Sequence, residues 1–312
     1  YPGTTEEILV PFIEKIPANV KSKENSIKFK IGNNFFVGYS PEREDPGNKE
    51  YSTKTIPKIV SGVTKNCLTF TRKIYDQIID VTVPVGSPKV AEMTKILENI
   101  HRAVNIGLMN ELKVVSDKMN IDLYEVIDAA ATKPFGFTPY YPGPGLVGHC
   151  IPIDPFYLTW KAKELGVNTK FIELAGEINT SMPYFVIQKV SEALSENEKS
   201  IKNSKILLLG LSYKKNVDDL RESPSLKILE LLINRGAKVE FSDPFFNKIP
   251  NTRRHAFDIK SIKINKNTLK IYDLVILATD HDQFNYELIE KHSHKIVDTR
   301  GKFNVSNFKC VF

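Results

Sequence analysis

Cysteine is scarce in this chain: there are three in 312 residues, at positions 67, 150 and 310. They lie far apart, with no Cys-x-x-Cys and no paired His-x-x-His. That spacing argues against a disulfide framework or a structural zinc site and makes a reducing cytoplasm the expected compartment. Long apolar runs are missing too. The longest, Ile206–Leu209 and Leu274–Ala278, are far too short to span a membrane. The opening Tyr1-Pro2-Gly3-Thr4-Thr5 has neither the basic nor the apolar region of a signal peptide, and no initiator Met. There is no internal repeat and no low-complexity tract. What remains, 41% hydrophobic and 26% charged, is the composition of an ordinary globular protein. Its length suggests roughly two domains.

Charge is uneven. The net +6 hides 23 basic and 24 acidic residues over 1–200, against 20 basic and 13 acidic over 201–312. The basic excess reads either as a solvated surface or as a site for a phosphorylated ligand. Nucleic acid fits poorly, because the basic residues are dispersed and no binding motif accompanies them.

Residues 1–86 read as mixed α/β: a helix over Thr4–Glu14, strands over Phe35–Tyr39, Lys58–Ser61 and Val81–Val85, and a helix over Leu68–Ile79. Ser87 and Pro88 then open a pattern of Val90, Met93, Leu97, Ile100, Val104, Leu108, Leu112, Val115 and Met119. Spacings of three and four residues predict one helix to about Met119. Its length suits a connector and a face for a second copy. Further helices are expected over Asp122–Ala131, Phe156–Leu165 and Pro183–Ser195. Beyond residue 200, strands at Lys205–Gly210, Lys238–Ser242, Leu274–Ala278 and Ile296–Asp298 alternate with helical segments, one capped by Ser223-Pro224. That alternation predicts a parallel, doubly wound sheet. Ligands bind at the carboxyl ends of such strands. After the first of them stand lysines rather than a glycine fingerprint.

One stretch stands out for chemistry. Tyr141–Asp154 is a Gly/Pro-rich loop that delivers His149-Cys150, with Asp154 four residues on. A cysteine is most often a small core residue, but a glycine-rich loop suits close ligand approach better than core packing. Cys150 is therefore a candidate nucleophile, and Cys67 and Cys310 are read as structural. On the long helix Lys95, Asn99 and Arg102 form one polar stripe, either a solvated face or donors for a developing oxyanion. Glu42, in Ser40-Pro41-Glu42-Arg43, is a candidate base or an exposed loop residue. These residues fit a cysteine-based enzyme acting on a phosphorylated substrate, and a Cys-His hydrolase fits them too.

Taken together, the order and spacing of Tyr1–Glu7, Val37–Arg43, Ala91–Asn99, Gly143–Pro155, Asn216–Pro224 and Asp298-Thr299-Arg300 resemble the UDP-sugar 6-dehydrogenase family. The tract Gly148–Trp160 is most similar to the branch that oxidises UDP-N-acetylglucosamine, with UDP-N-acetylmannosamine and UDP-glucose enzymes as close relatives. The resemblance implies an α/β chain in three parts. Residues 1–86 would be the remnant of an NAD-binding Rossmann domain, 87–200 a central helical dimerisation and catalytic region, and 201–312 a Rossmann-like UDP-binding domain. It implies a four-electron oxidation at the sugar's 6-position, with NAD as cofactor, in a cytoplasmic homodimer supplying surface polysaccharide. Carried over, Cys150 would form the thiohemiacetal and thioester, and Lys95 and Asn99 would stabilise the oxyanion. Glu42 and Asp154 would do acid/base work. Lys214, Arg300 and Arg102 would hold the UDP-sugar, Gly143 and Gly145 would let the loop approach it, and Arg221 would approach the cofactor. No metal is implied.

Two departures accompany the resemblance. The family's glycine-rich strand–turn–helix is absent and would lie upstream of Tyr1, in about three βαβ-sized pieces. Without it the nicotinamide has little to bind, so the chain alone is not expected to turn over; the alternative is a UDP-sugar-binding chain without redox chemistry. Val147 stands where family members usually carry glycine, and its β-branched side chain bears on loop geometry and sugar choice.

Overall fold

The computed structural model describes residues 1–15, 30–45, 47–48, 50–146, 151, 153–250, 257–303 and 310–311. The chain forms two compact units, Tyr1–His101 with Asp154–Asn168, and Arg102–Ile153 with Thr169–Phe312.

The first unit opens with a π-helical turn, Thr5–Leu9, that runs into α1 (Val10–Lys15). Pro11 has no N–H to return to the carbonyl of Glu7, so a regular α register cannot close there. A small sheet follows in the order β1 (Gly38–Tyr39), β2 (Lys58–Gly62), β3 (Thr82–Pro84). β1 runs antiparallel and β3 parallel to β2. The strand expected over Phe35–Tyr39 shrinks to two residues because only Gly38 and Tyr39 find ladder partners, Gly62 and Ser61. α2 (Lys65–Tyr75) starts earlier than its apolar periodicity suggests. Thr64 fixes the start, its hydroxyl oxygen accepting the Cys67 N–H at 3.2 Å. Cys67 is fully buried beside it.

α3 (Pro88–Lys118) is a single helix of 31 residues, as its periodicity predicts. Its buried face is not the long apolar stripe. Leu97, Leu108, Leu112, Val115 and Met119 are all exposed, while Ala91, Ile96, Ala103, Met109 and Asn110 are buried. The chain continues through α4 (Leu123–Ala131) in the second unit and returns to the first as α5 (Asp154–Glu164). α5 begins two residues before the expected start, with Asp154 in its first turn, where a carboxylate favours the helix dipole.

The second unit holds α6 (Lys170–Ser195), which starts well before the expected Pro183. Pro183 sits inside the helix, so its missing N–H leaves the carbonyl of Asn179 without its helical partner. Beyond it lie β4 (Lys205–Leu209), α7 (Pro224–Asn234), β5 (Lys238–Ser242), α8 (Lys266–Leu269), β6 (Leu274–Leu277), α9 (Tyr286–His292), β7 (Ile296–Asp298) and β8 (Cys310–Val311). The five strands are parallel in the order β5-β4-β6-β7-β8. Successive residues of one strand serve two cores: Ile206 and Leu208 join α6 and α7, whereas Leu207 and Leu209 join Leu269 and Ile289 of α8 and α9. That period of two is what a sheet covered on both faces requires.

β4 and β6 are neighbours and their following loops meet. Gly210 has φ +81°, and a Cβ there would lie 2.3 Å from the carbonyl oxygen of Thr279. Gly210→Ala therefore forces both a left-handed alanine and a backbone collision. It should destabilise the protein by about 2–4 kcal/mol, read as a lowered midpoint in urea denaturation.

Candidate active site

Three of the candidate residues meet in the first unit. α3 presents Lys95 and Asn99 one turn apart, and α5 presents Asp154. Asn99 is buried, and its Nδ2 donates to Asp154 Oδ2 at 2.8 Å. Lys95 and Asp154 line one cavity of about 550 Å³, with Glu92, Ile96, Tyr39 and Tyr157 among its other walls. Glu92 fixes the N-terminal wall. Its carboxylate accepts the N–H groups of Gly3 (2.5 Å) and Thr5 (2.8 Å) and the Thr5 hydroxyl (2.7 Å). Burial, together with the charges of Glu92 and Asp154, holds the Tyr39 phenol above its ordinary pKa. The cavity thus has an ammonium, a carboxylate held from behind by the buried Asn99 amide, and a phenol that stays protonated. Such a set can donate to a developing oxyanion and accept a proton.

Glu42 is not among the residues lining that cavity. Its Oε2 pairs with Lys58 Nζ at 2.8 Å, and its Oε1 accepts the N–H groups of Arg43 and Glu44, each at 2.8 Å. Partial burial works to raise its pKa, but the Lys58 bond and the Glu44 N–H outweigh it and leave the carboxyl below its ordinary value. Its neighbour Arg43 ties the loop down, reaching Glu98 on α3 at 2.7 Å and the carbonyl of Pro57 at 2.7 Å.

Gly143, Gly145 and Arg300 come together in the second unit. A Cβ on Gly143 would lie 3.1 Å from Arg300 Nη1, and one on Gly145, at φ +148°, 3.1 Å from Pro224 Cβ. Arg300 is half-buried and donates from Nε to the carbonyl of Ala278 at 2.7 Å. Lys214 is half-buried in the loop after β4. Arg221 is held by Asp219, with Nε and Nη2 at 2.9 and 2.6 Å from Oδ2. Arg102 is exposed on α3, in the second unit. His149, Cys150 and Val147 lie outside the described residues.

Two asparagines that the sequence reading passed over hold the Gly143 loop. Asn110 Oδ1 accepts the Gly143 N–H at 2.9 Å, and its Nδ2 donates to Asn179 Oδ1 at 2.8 Å. Asn179 Nδ2 donates in turn to the carbonyl of Ala103 at 3.0 Å. Both side chains are buried. A signal was available: Ala103, Gly107 and Asn110 recur at helical spacing as a stripe of small and amide residues beside the apolar one. A Cβ added at Gly107 would lie 3.3 Å from Cα of Ala175, so that stripe is where α6 packs closely on α3. Tyr124 was missed as well. Its hydroxyl donates to the carbonyl of Thr299 at 3.1 Å, and burial lifts its pKa above the ordinary phenol value.

Among the described residues no group of three or more His, Cys, Asp or Glu is placed to hold a metal, and no helix is long and apolar enough to cross a membrane.

Residues 89–181 match the model of the UDP-glucose/GDP-mannose dehydrogenase family, central domain, and residues 207–305 match the UDP binding domain of the same family. The chain belongs to this family. It is 36% identical to Protein CapL of Staphylococcus aureus over 97% of this chain and 69% of that protein. It is 34% identical to the UDP-N-acetyl-D-glucosamine 6-dehydrogenase of Pseudomonas aeruginosa over 96% of this chain and 69% of that protein. Among solved structures, the UDP-D-ManNAc dehydrogenase of Pyrococcus horikoshii superposes with a TM-score of 0.77 at 30% identity, over 89% of this chain and 64% of that one. The chain thus spans about two thirds of the length of the relatives it matches.

Among the described residues no glycine-rich strand–turn–helix is placed to cradle the pyrophosphate of a dinucleotide. Gly143, Gly145 and Gly148 repeat the G-x-G-x-x-G lettering, but no strand leads into Gly143.

The asparagine relay carries a measurable load. Asn110→Leu leaves the Gly143 N–H and Asn179 Oδ1 without their partner, at an expected cost of about 1–3 kcal/mol. Equilibrium urea denaturation should show it.

Proposed function

We propose that this chain is the substrate-holding and catalytic part of an NAD-dependent dehydrogenase. It oxidises the 6-hydroxymethyl group of a UDP-N-acetylhexosamine, UDP-N-acetylglucosamine in the first place, to the uronate. UDP-N-acetylmannosamine and UDP-glucose are the alternative substrates. The observation that carries the reading is the cavity wall shared by Lys95 and Asp154, with Asn99 bonded to Asp154. The named activity of the Pseudomonas relative supports the choice of sugar.

In this reading the Cys150 thiolate adds to the 6-aldehyde, forming a C–S bond and an alkoxide. Lys95 Nζ and Asn99 Nδ2 donate to that oxygen, worth roughly 10²–10³-fold in rate for one such donor. After the second two-electron oxidation the adduct is a thioester. Water then attacks its carbonyl, the C–S bond breaks and the thiolate returns. Asp154 takes the proton from that water or orients Lys95. Glu42 joins the acid/base work only once freed from Lys58. NAD supplies the hydride acceptor for both oxidations when bound. Arg300, Lys214 and Arg102 hold the UDP-sugar, Gly143 and Gly145 give its loop close approach, and Arg221 faces the cofactor.

A division of labour follows the three segments: 1–86 for the cofactor side, 87–200 for dimerisation and catalysis, and 201–312 for UDP. The family matches at 89–181 and 207–305 fall inside the second and third, which supports it. A homodimer fits the exposed stripe of Leu108, Leu112, Val115 and Met119, since a monomer rarely leaves such a patch uncovered. A second reading is a UDP-sugar binder without redox chemistry, which the match of residues 207–305 to the UDP binding domain supports equally. UDP binding without NAD⁺ binding in the native protein would select it.

The test is single-turnover product analysis on the native-length protein. Cys150→Ser should release no uronate, and Lys95→Met should lower kcat about 10²–10³-fold. Undiminished acid production by Cys150→Ser would remove the nucleophile assignment.

A further inference from the structure

The strand order of the second unit changes direction between β4 and β6, where a doubly wound sheet opens a crevice at its carboxyl edge. The two loops leaving those strands are joined by more polar contacts than close packing requires. Thr279 Oγ1 donates to the carbonyl of Ser212 at 2.6 Å. The Asn216 N–H donates to His281 Nδ1 at 3.0 Å, and its side chain exchanges two bonds with Asp282, Nδ2 to Oδ2 at 2.6 Å and the Asp282 N–H to Oδ1 at 3.0 Å. Lys215 Nζ pairs with Asp282 at 2.6 Å. Because Nδ1 of His281 accepts, the ring proton sits on Nε2 and points to Asp243 Oδ2 at 3.2 Å. Asp243, at the end of β5, also accepts the Leu211 N–H at 2.7 Å. Both side chains of the His281–Asp243 pair are fully buried.

The consequence is a closed circuit. Leu211, at one end of the loop after β4, hangs on Asp243. Asn216, at the other end, hangs on His281. The imidazole joins the two anchors. Asn216 lies at φ +58°, a left-handed conformation that asparagine tolerates better than most residues. Tyr213, Lys214 and Lys215 are carried between these fixed ends.

We propose that His281 and Asn216 are positioning residues for nucleotide recognition: they latch the Leu211–Asn216 loop to the loop after β6 before the ligand arrives. The proposal rests on reading this unit as the UDP site. A loop ordered in advance spares the ligand the entropy of ordering it, so loosening the latch weakens binding without touching the chemistry. Neither residue has a part in the catalytic roles assigned above.

The experiment titrates UDP into the chain and into two variants by calorimetry, with thermal melts in parallel. Asn216→Gly keeps the left-handed backbone and the N–H to His281 but deletes both side-chain bonds to Asp282. His281→Phe fills the buried volume and breaks both anchors. Each should raise the Kd for UDP by roughly 5- to 20-fold, with the melting temperature of Asn216→Gly close to the parent's. In the native-length enzyme the same variant should raise KM for the UDP-sugar and keep kcat at saturation. A merely structural role would instead lower kcat and the melting temperature together and leave KM unchanged. If His281→Phe does not fold, Asn216→Gly decides alone. Parent-like UDP affinity in Asn216→Gly overturns the latch while leaving the nucleotide site standing. Absence of UDP binding by the parent chain overturns the nucleotide reading and the latch with it.

Discussion

The hydrogen bond between Asn99 and Asp154 is the constraint on which the candidate chemistry depends. It joins two helices whose residues lie 55 positions apart in the chain. Without it, α5 presents a carboxylate and α3 presents an ammonium with no fixed relation between them. With it, Asp154 is oriented at the first turn of α5, where the helix dipole favours its charge, and Lys95 stands one helical turn away on the partner helix. Glu92, a further turn back, clamps the Gly3–Thr5 turn. One face of the first half of α3 thus carries three polar groups in succession, each with a stated partner or a place on the cavity wall.

The second unit follows the same logic with different groups. Its apolar layers, Ile206 and Leu208 on one side and Leu207 and Leu209 on the other, make the sheet rigid. Polar side chains then hang the loops from that rigid frame: Asn110 and Asn179 hold Gly143, Tyr124 holds Thr299, and Asp243 and His281 hold the loop after β4. All of these side chains are mostly or fully buried, and all but Asn179, which bonds Asn110 and the helical carbonyl of Ala103, bond the backbone of a loop or turn. Buried polar groups must find partners, and here the partners are the segments that the sheet alone leaves unrestrained. A glycine marks where those segments come too close for a side chain, at Gly210 beside the backbone of Thr279.

Much of this was legible in the sequence because local rules governed it. Strands with continuous apolar runs, the Ser223-Pro224 start of α7 and the uninterrupted span of α3 all appear where residue type and spacing place them. The family resemblance also reaches the residues that meet in space: Lys95, Asn99 and Asp154 in one unit, Gly143, Gly145 and Arg300 in the other. What escaped depends on neighbours distant in sequence. The apolar stripe of α3 is legible as a face for a partner, but its buried face, Ala103, Gly107 and Asn110 under α6, is declared by no apolar pattern. Pro183 reads as a helix start, yet α6 runs through it from Lys170. α8 and α9 are too short for periodicity to declare them. Asn110, Asn179 and His281 are ordinary residues until their partners arrive from other elements.

The central claim is that these groups serve a four-electron oxidation completed at one site. Its most direct measurement is the ratio of NADH formed to uronate released by the native-length protein on UDP-N-acetylglucosamine, with a trap for free aldehyde present. The account predicts two NADH for each uronate and no trapped aldehyde. One NADH per sugar with aldehyde in the trap, or UDP-sugar binding with no NADH at all, would contradict it.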